Sequence, residues 1–146
     1  MNEKITAIEV VENFTPAGEG SSGWDRHDGY KVTTVRQEIT VSISNGQSCC
    51  ESWGYLASED DLERFVGERL YRIQITDTDR IGRFVREPDY SKSSDQDIVL
   101  DAGDTMFVDF ETSAGVFQLV AYNAHNGYYG HNAMVVSREL RHMVGL

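Results

Sequence analysis

Two short stretches concentrate the residue types that do chemistry. The first is "HNGYYGHN", residues 125–132. Gly127 and Gly130 allow left-handed backbone angles, so successive N–H groups there can turn inward around an anion. Tyr128 and Tyr129 offer flat faces for stacking and hydroxyls for the edge of a planar ligand. Asn126 is suited to reading a peptide group or a base, and His125 and His131 flank the run. The plainer alternative is a wide hairpin whose tyrosines clamp a sheet. The second stretch is "QSCCESWGY", residues 47–55. Cys50 and Glu51, joined by His125 or His131, would compose a thiol nucleophile with its base. Such a thiol also needs an oxyanion hole and a positive field to depress its pKa, and neither is legible. A metal held by Cys, Glu and His fits no familiar zinc spacing. Cysteines buried beside a packed Trp53 are the simpler reading.

The two stretches are expected to adjoin and form one ligand- or partner-binding site. Its residues are Cys50, Glu51, Trp53, Tyr55, His125, Asn126, Gly127, Tyr128, Tyr129 and His131, with no catalytic residue, metal or cofactor assigned. A further mixed cluster, residues 24–28 (Trp24, Asp25, Arg26, His27, Asp28), reads as an exposed loop or a ligand rim. Asp95, Asp97, Asp101 and Asp104 lack the periodic oxygen ligands and glycine of a calcium loop, so they read as surface.

Alternation of apolar residues predicts the elements that position these stretches. Residues 4–12 read as a first strand and 30–44 as strand with a bulge or break near 34–37, where the apolar phase changes. The Asn-Gly pair within 44–47 predicts a tight hairpin turn. A helix is expected over about 59–66, capped by Ser58, with Leu62, Phe65 and Val66 on one face and Gly67 terminating it. Strand resumes at Tyr71, Ile73 and Ile75. Residues 77–97 read as a long loop with short ordered pieces around "IGRFV". Residues 105–111, 116–122 and 133–137 read as strands, and "RELRHMVGL" as a short C-terminal helix or a loose tail. The expected architecture is one α+β domain over residues 1–146, mostly antiparallel sheet with one clear helix.

Composition limits the function classes. The chain has 146 residues, 24 acidic against 13 basic, for a net charge of −11. No basic track runs along it, which argues against extended nucleic-acid binding. An acidic surface is able instead to occupy a basic groove on another protein. No apolar run approaches the ~20 residues that cross a bilayer, and the first residues lack the basic, then apolar, pattern of a secretory signal. The cytoplasm is the expected compartment. The two cysteines, Cys49 and Cys50, are adjacent, so a disulfide between them would be strained, and free thiols are expected. Exposed strand edges predict pairing with a symmetric copy as a homodimer.

Taken together, Gln47, Cys49, Cys50 and Glu51, then Leu62 and Gly67, then Asn126, Gly127, Tyr128 and Tyr129 give the sequence a likeness. It resembles an uncharacterised family of small domains from bacteriophages, prophages and their hosts, with a Cys-Cys-Glu motif and a C-terminal Asn-Gly-Tyr-Tyr. The order and spacing agree over roughly residues 30–137. The sequence departs in showing Gln-Ser-Cys-Cys where Gln-Asp-Cys-Cys is frequent, and in adding His125 and His131. The resemblance implies an accessory protein that blocks a host defence, for example an anti-CRISPR inhibitor of an effector nuclease, acting through acidic and aromatic contacts. The alternatives are a sponge that sequesters a nucleotide immune signal between Tyr128, Tyr129 and scattered arginines, and a small Cys/His enzyme. The expected partner is thus a host defence protein or a nucleotide ligand.

Overall fold

The computed structural model describes residues 1–16, 26–46, 51–78, 84–86, 97–99, 105–125 and 131–146. The strands are β1 (Glu3–Phe14), β2 (His27–Thr34), β3 (Glu38–Ser44), β4 (Glu51–Ala57), β5 (Arg69–Thr78), β6 (Phe84–Arg86), β7 (Asp97–Val99), β8 (Thr105–Thr112), β9 (Gly115–His125), β10 (Asn132–Val136) and β11 (Arg141–Gly145). Nine of them form one antiparallel sheet in the order β11-β10-β3-β2-β1-β5-β8-β9-β4, while β6 and β7 pair with each other.

The expected α+β class is therefore wrong: among the described residues there is no α-helix, only a 3-10 turn at Leu62–Phe65. The residues chosen as helix signals serve the sheet instead. Ser58 donates its N–H to the Gln118 carbonyl and accepts the Gln118 N–H on its hydroxyl, so it caps nothing. Asp61 makes no side-chain cap, and Val66 is already extended. Gly67, at φ +94°, gives its N–H to Ile5, and Ile5 returns its own to Glu68. Backbone pairing with β1 thus captures the segment after one turn. That turn suffices to seat Phe65, fully buried against Phe117 at 4.7 Å between ring centroids. The C-terminal "RELRHMVGL" is no helix either, because residues 141–145 pair with β10 from Asn132↔Gly145 to Val136↔Arg141.

Two other expectations change. The break near residues 34–37 is a full reversal: Thr33 pairs with Glu38, and the Thr34 hydroxyl accepts the N–H groups of Arg36 and Gln37. The Asn-Gly at 45–46 makes no hairpin, because β3 and β4 lie on different parts of the sheet.

The sheet folds back on itself. β1 and β5 share only two register pairs, Glu3↔Leu70 and Lys4↔Arg69, and then run apart, which makes a corner. The two halves, β11-β10-β3-β2-β1 and β5-β8-β9-β4, close over one core that includes Ile5, Val32, Val41, Phe65, Val108, Phe117 and Val135. Cross-half contacts confirm the closure. Tyr30 of β2 meets Tyr55 of β4 edge-on at 5.5 Å, and Trp53 of β4 stacks on His131 at 5.1 Å.

Register then decides what lies at each end. Tight connections at residues 34–37, 113–114 and 137–140, with the 3-10 segment, sit at the corner end. Four connections emerge at the other end: Phe14 to His27, Ser44 to Glu51, Thr78 to Thr105 and His125 to Asn132. The second and fourth of these cross between the halves, so both halves must end at the same place.

Candidate functional site

The base of the loop-bearing end is a knot of polar side chains. Asn13 adopts φ 52°, a left-handed angle that asparagine tolerates better than most residues, and it lies where the β1–β2 register slips. The slip turns the Asn13 N–H onto Asp28 Oδ1 at 2.7 Å. The same oxygen accepts from Asn45 Nδ2 at 2.9 Å, and the Asn45 N–H donates to the Arg26 carbonyl. One carboxylate thereby ties the end of β1, the start of β2 and the end of β3.

Beside it lie two histidine contacts that sequence reasoning missed. His27 Nδ1 shares a 2.9 Å hydrogen bond with the Ser42 hydroxyl, both side chains being 0% exposed. His131 Nδ1 lies against the Ser44 carbonyl oxygen, and Ser44 Oγ accepts the Asn132 N–H at 2.9 Å. A His–Ser pair resembles a base and its nucleophile. Complete burial, however, keeps substrate from the Ser42 hydroxyl, so the pair locks β2 to β3. The available signal was register: with β2 and β3 aligned, His27 and Ser42 share a face with Ser44.

The two stretches singled out from the sequence do approach each other. Glu51 pairs with His125, Ser52 with Ala124 and Trp53 with Asn123 along the β4–β9 ladder. Glu51 and His125 are placed here by backbone alone. Trp53 is half-buried against the core, with its indole on the His131 ring. Asn123, fully buried, donates Nδ2 to the Leu146 carbonyl, and His131 and Leu146 exchange both backbone bonds. These contacts draw the β4–β9 border of one half against the β10–β11 border of the other. Tyr55 likewise faces inward, its ring on Tyr30 and its hydroxyl donating to Glu12 at 3.4 Å. Burial, then the negative charges of Glu12 and Asp28, push the Tyr55 phenol up to about 12. Gly54, between them, leaves room for the Tyr122 ring, whose hydroxyl would stand 2.9 Å from any Cβ added there. Trp53, Tyr55 and His131 are thus closure residues at the foot of the loops. Cys50, Asn126, Gly127, Tyr128 and Tyr129 fall outside the described residues, as do Trp24 and Asp25. Arg26, His27 and Asp28 of that second cluster are ordered at the start of β2, not in a loose loop.

Charge is distributed unevenly over the two ends. Arg64 holds Glu59 through two bonds of 2.7 Å, and Arg72 lies 3.2 Å from Glu111, both toward the corner end. Arg69 is also there, bonded to Asn2 at 3.1 Å. Arg64, Arg69 and Arg72 thus stand away from the loop end, where Arg26 lies beside the Asn13 carbonyl; Arg80 and Arg83 fall outside the described residues. Among the described residues no group of three His, Cys, Asp or Glu side chains is arranged to hold a metal ion, and no helix is long and apolar enough to cross a membrane.

The chain matches the model of the family described as domain of unknown function DUF7448 over residues 1–135, and it belongs to that family. No curated protein and no solved structure matches it. The match speaks for an uncharacterised domain family and carries nothing on bacteriophage origin or on the two motifs; the phage and anti-CRISPR reading is unsupported and is set aside.

Proposed function

We propose that this member of the DUF7448 family is a binding protein, not a catalyst, and that it meets a protein partner with the end of the sheet that bears the long connections. One observation carries the reading: strand register sends the four connections Phe14 to His27, Ser44 to Glu51, Thr78 to Thr105 and His125 to Asn132 out together at one end, while the other end holds three tight turns and the segment 58–68, which is tied down by buried Phe65. Rigid sheets that present loops together at one end are a recurrent way of building recognition surfaces. The polar knot at Asp28 and the Trp53–His131 stack fix the positions from which those connections start. The partner is a protein of basic surface, since a chain of net charge −11 is attracted to one and repelled by nucleic-acid backbones. The buried His27–Ser42 pair, closed to substrate, favours this over an enzyme reading. The compartment that fits adjacent free cysteines is the cytosol.

The test is site-specific photo-crosslinking in a cytosolic extract. A photoreactive residue replaces exposed Glu12 or Asn132 at the loop end, or exposed Val35 or Val116 at the corner end. A discrete, saturable protein adduct from the loop-end positions only, competed by polyglutamate, is the expected result. Adducts of equal yield from Val35 and Val116 would refute the assignment.

A further inference from the structure

The outer face of the β1-β2-β3-β10 half holds a cleft of about 550 Å³ that the loop-end reading does not use. A single cross-strand row makes its floor: Lys31, Thr40 and Val136 are register partners on three adjacent strands. This row faces away from the core, because the residues that alternate with it, Val32, Ile39, Val41 and Val135, are buried inside. Val11 and Phe14, on either side of the register slip at Asn13, wall one side. The mouth at the other side is formed by two turns, carrying Arg36 and Arg138.

Those turns are held in fixed relation by Gln37. Its side-chain carbonyl accepts the Arg138 N–H at 3.1 Å, and its amide donates to both Glu3 oxygens at 2.9 and 3.0 Å. Thr34 holds the first turn from below, donating to Glu3 at 2.6 Å. The Ser137 hydroxyl closes the second by accepting the Leu140 N–H. Charge follows a clear pattern. Lys31 is neutralised on the floor, 3.3 Å from Glu9 and 3.7 Å from Glu38. Arg36 and Arg138 differ: among the described residues no carboxylate lies within ion-pair distance of either guanidinium. Two arginines with no ion pair among the described residues thus share one rim, with an apolar wall behind them.

We propose that this cleft is a binding site for a small organic anion, its oxyanion head between Arg36 and Arg138 and its apolar body on Val11, Phe14 and Val136. The volume is within the range of small-molecule sites, and guanidinium forks are suited to carboxylate and phosphate oxygens alike. The inference does not depend on the loop-end reading, since it uses the outer face of the sheet and takes its charge from the turns at the corner end.

The experiment is a titration of the full chain followed by amide NMR shifts, with phenyl phosphate, benzoate, inorganic phosphate and benzamide as probes. Saturable shifts at Arg36, Gln37, Val136 and Arg138 with phenyl phosphate or benzoate are expected, the tighter of the two identifying the head group. The R36E/R138E variant should bind ~10-fold more weakly or worse, as loss of charged hydrogen bonds implies. Both arginines are exposed, so the variant should fold; because Arg36 also favours the Glu3 carboxylate, R36Q/R138Q, which puts no negative charge beside it, should be measured with it and show the same weakening. Equal binding of neutral benzamide, undiminished affinity in the variant, or no shifts at millimolar probe would overturn the proposal. Inorganic phosphate binding as tightly as phenyl phosphate would remove the apolar half of it.

Discussion

The two ends of this folded sheet are held together by different physics. At the corner end, Phe110 lies flat on Phe117 at 4.8 Å, and Phe65 leans on the same ring, all three fully buried. Apolar area and aromatic geometry fill this end, while the Glu3, Thr34 and Gln37 hydrogen bonds set its turns. At the loop end the fixed points are polar: Asp28 with two donors, His27 on Ser42, His131 beside Ser44, Asn123 on Leu146. Hydrogen bonds have direction, so they specify where each connection leaves the sheet, whereas packing mainly supplies stability. The phenylalanine cluster belongs to the corner end, and the loop end relies on directed hydrogen bonds and the Trp53–His131 stack.

That contrast is open to attack by substitution. Phe117→Ala should be the most damaging change, costing roughly 3–5 kcal/mol in a denaturant titration, because it empties the centre of the aromatic cluster. A comparable loss from a single polar residue at the loop end would break the comparison. Gly29→Ala should come next, at about 1–3 kcal/mol, as overpacking against a backbone. A Cβ there would stand 2.0 Å from the Val41 carbonyl oxygen, so β2 and β3 would have to part. Asp28→Ala should cost only about 1 kcal/mol, since the Asn13 N–H it leaves is exposed and turns to water. Its larger effect should be faster amide hydrogen exchange at Asn13 and Asn45, with the Phe110–Phe117 region unchanged.

Titration should divide the ends more finely. The Tyr55 phenol, raised from 10.0 to about 12 by burial and by Glu12 and Asp28, is stabilised in its neutral form by folding. A raised pKa contributes stability in full below pH 10.0 and loses it as pH climbs toward 12. Tyr55→Phe should therefore flatten that alkaline decline. Glu3, at the corner end, has the opposite sign. Burial draws its carboxyl up, but the Thr34 hydroxyl, the Gln37 amide and the Arg36 charge outweigh it and the net shift is downward. Its contribution is present above the ordinary carboxylate value and lost as pH falls through the lowered one. Glu3→Gln should flatten the acid limb and leave the alkaline limb alone; denaturation midpoints across pH would show both.

Strands were the legible part of this sequence. Alternation at Met106, Val108 and Phe110, and at Phe117, Leu119 and Ala121, places them on the core side, as their burial shows. The helix at 59–66 was misread because Leu62, Phe65 and Val66 suit a helix period as well as they suit one 3-10 turn. What decided between them was hydrogen bonding of Gly67 and Glu68 with Ile5, distant in sequence and therefore invisible locally. The Asn-Gly at 45–46 misled for a related reason: Asn45 is used by Asp28 and Arg26, not by a hairpin. Of the candidate site, the nearness of the two rich stretches was legible and is visible in the Glu51↔His125 pair. A packed Trp53 was legible too, but its stack on His131 and the inward role of Tyr55 were not, since they depend on how the halves close. The rim of Arg36 and Arg138 was equally hidden, being assembled from two turns about a hundred positions apart in the chain.

The path of the chain through the halves also bears on how the protein is made. The first three strands belong to one half, the chain then leaves to build the other, and only β10 returns to lie on β3, with Thr40 and Val136 separated by 96 positions. During synthesis β3 therefore waits with an open row of backbone donors and acceptors while the whole second half is translated. An unpaired strand edge of that kind recruits neighbouring chains. Ribosomes spaced closely on one message would hold several such edges near each other, so yield of native protein should depend on translation rate and on chaperones that shield nascent chains.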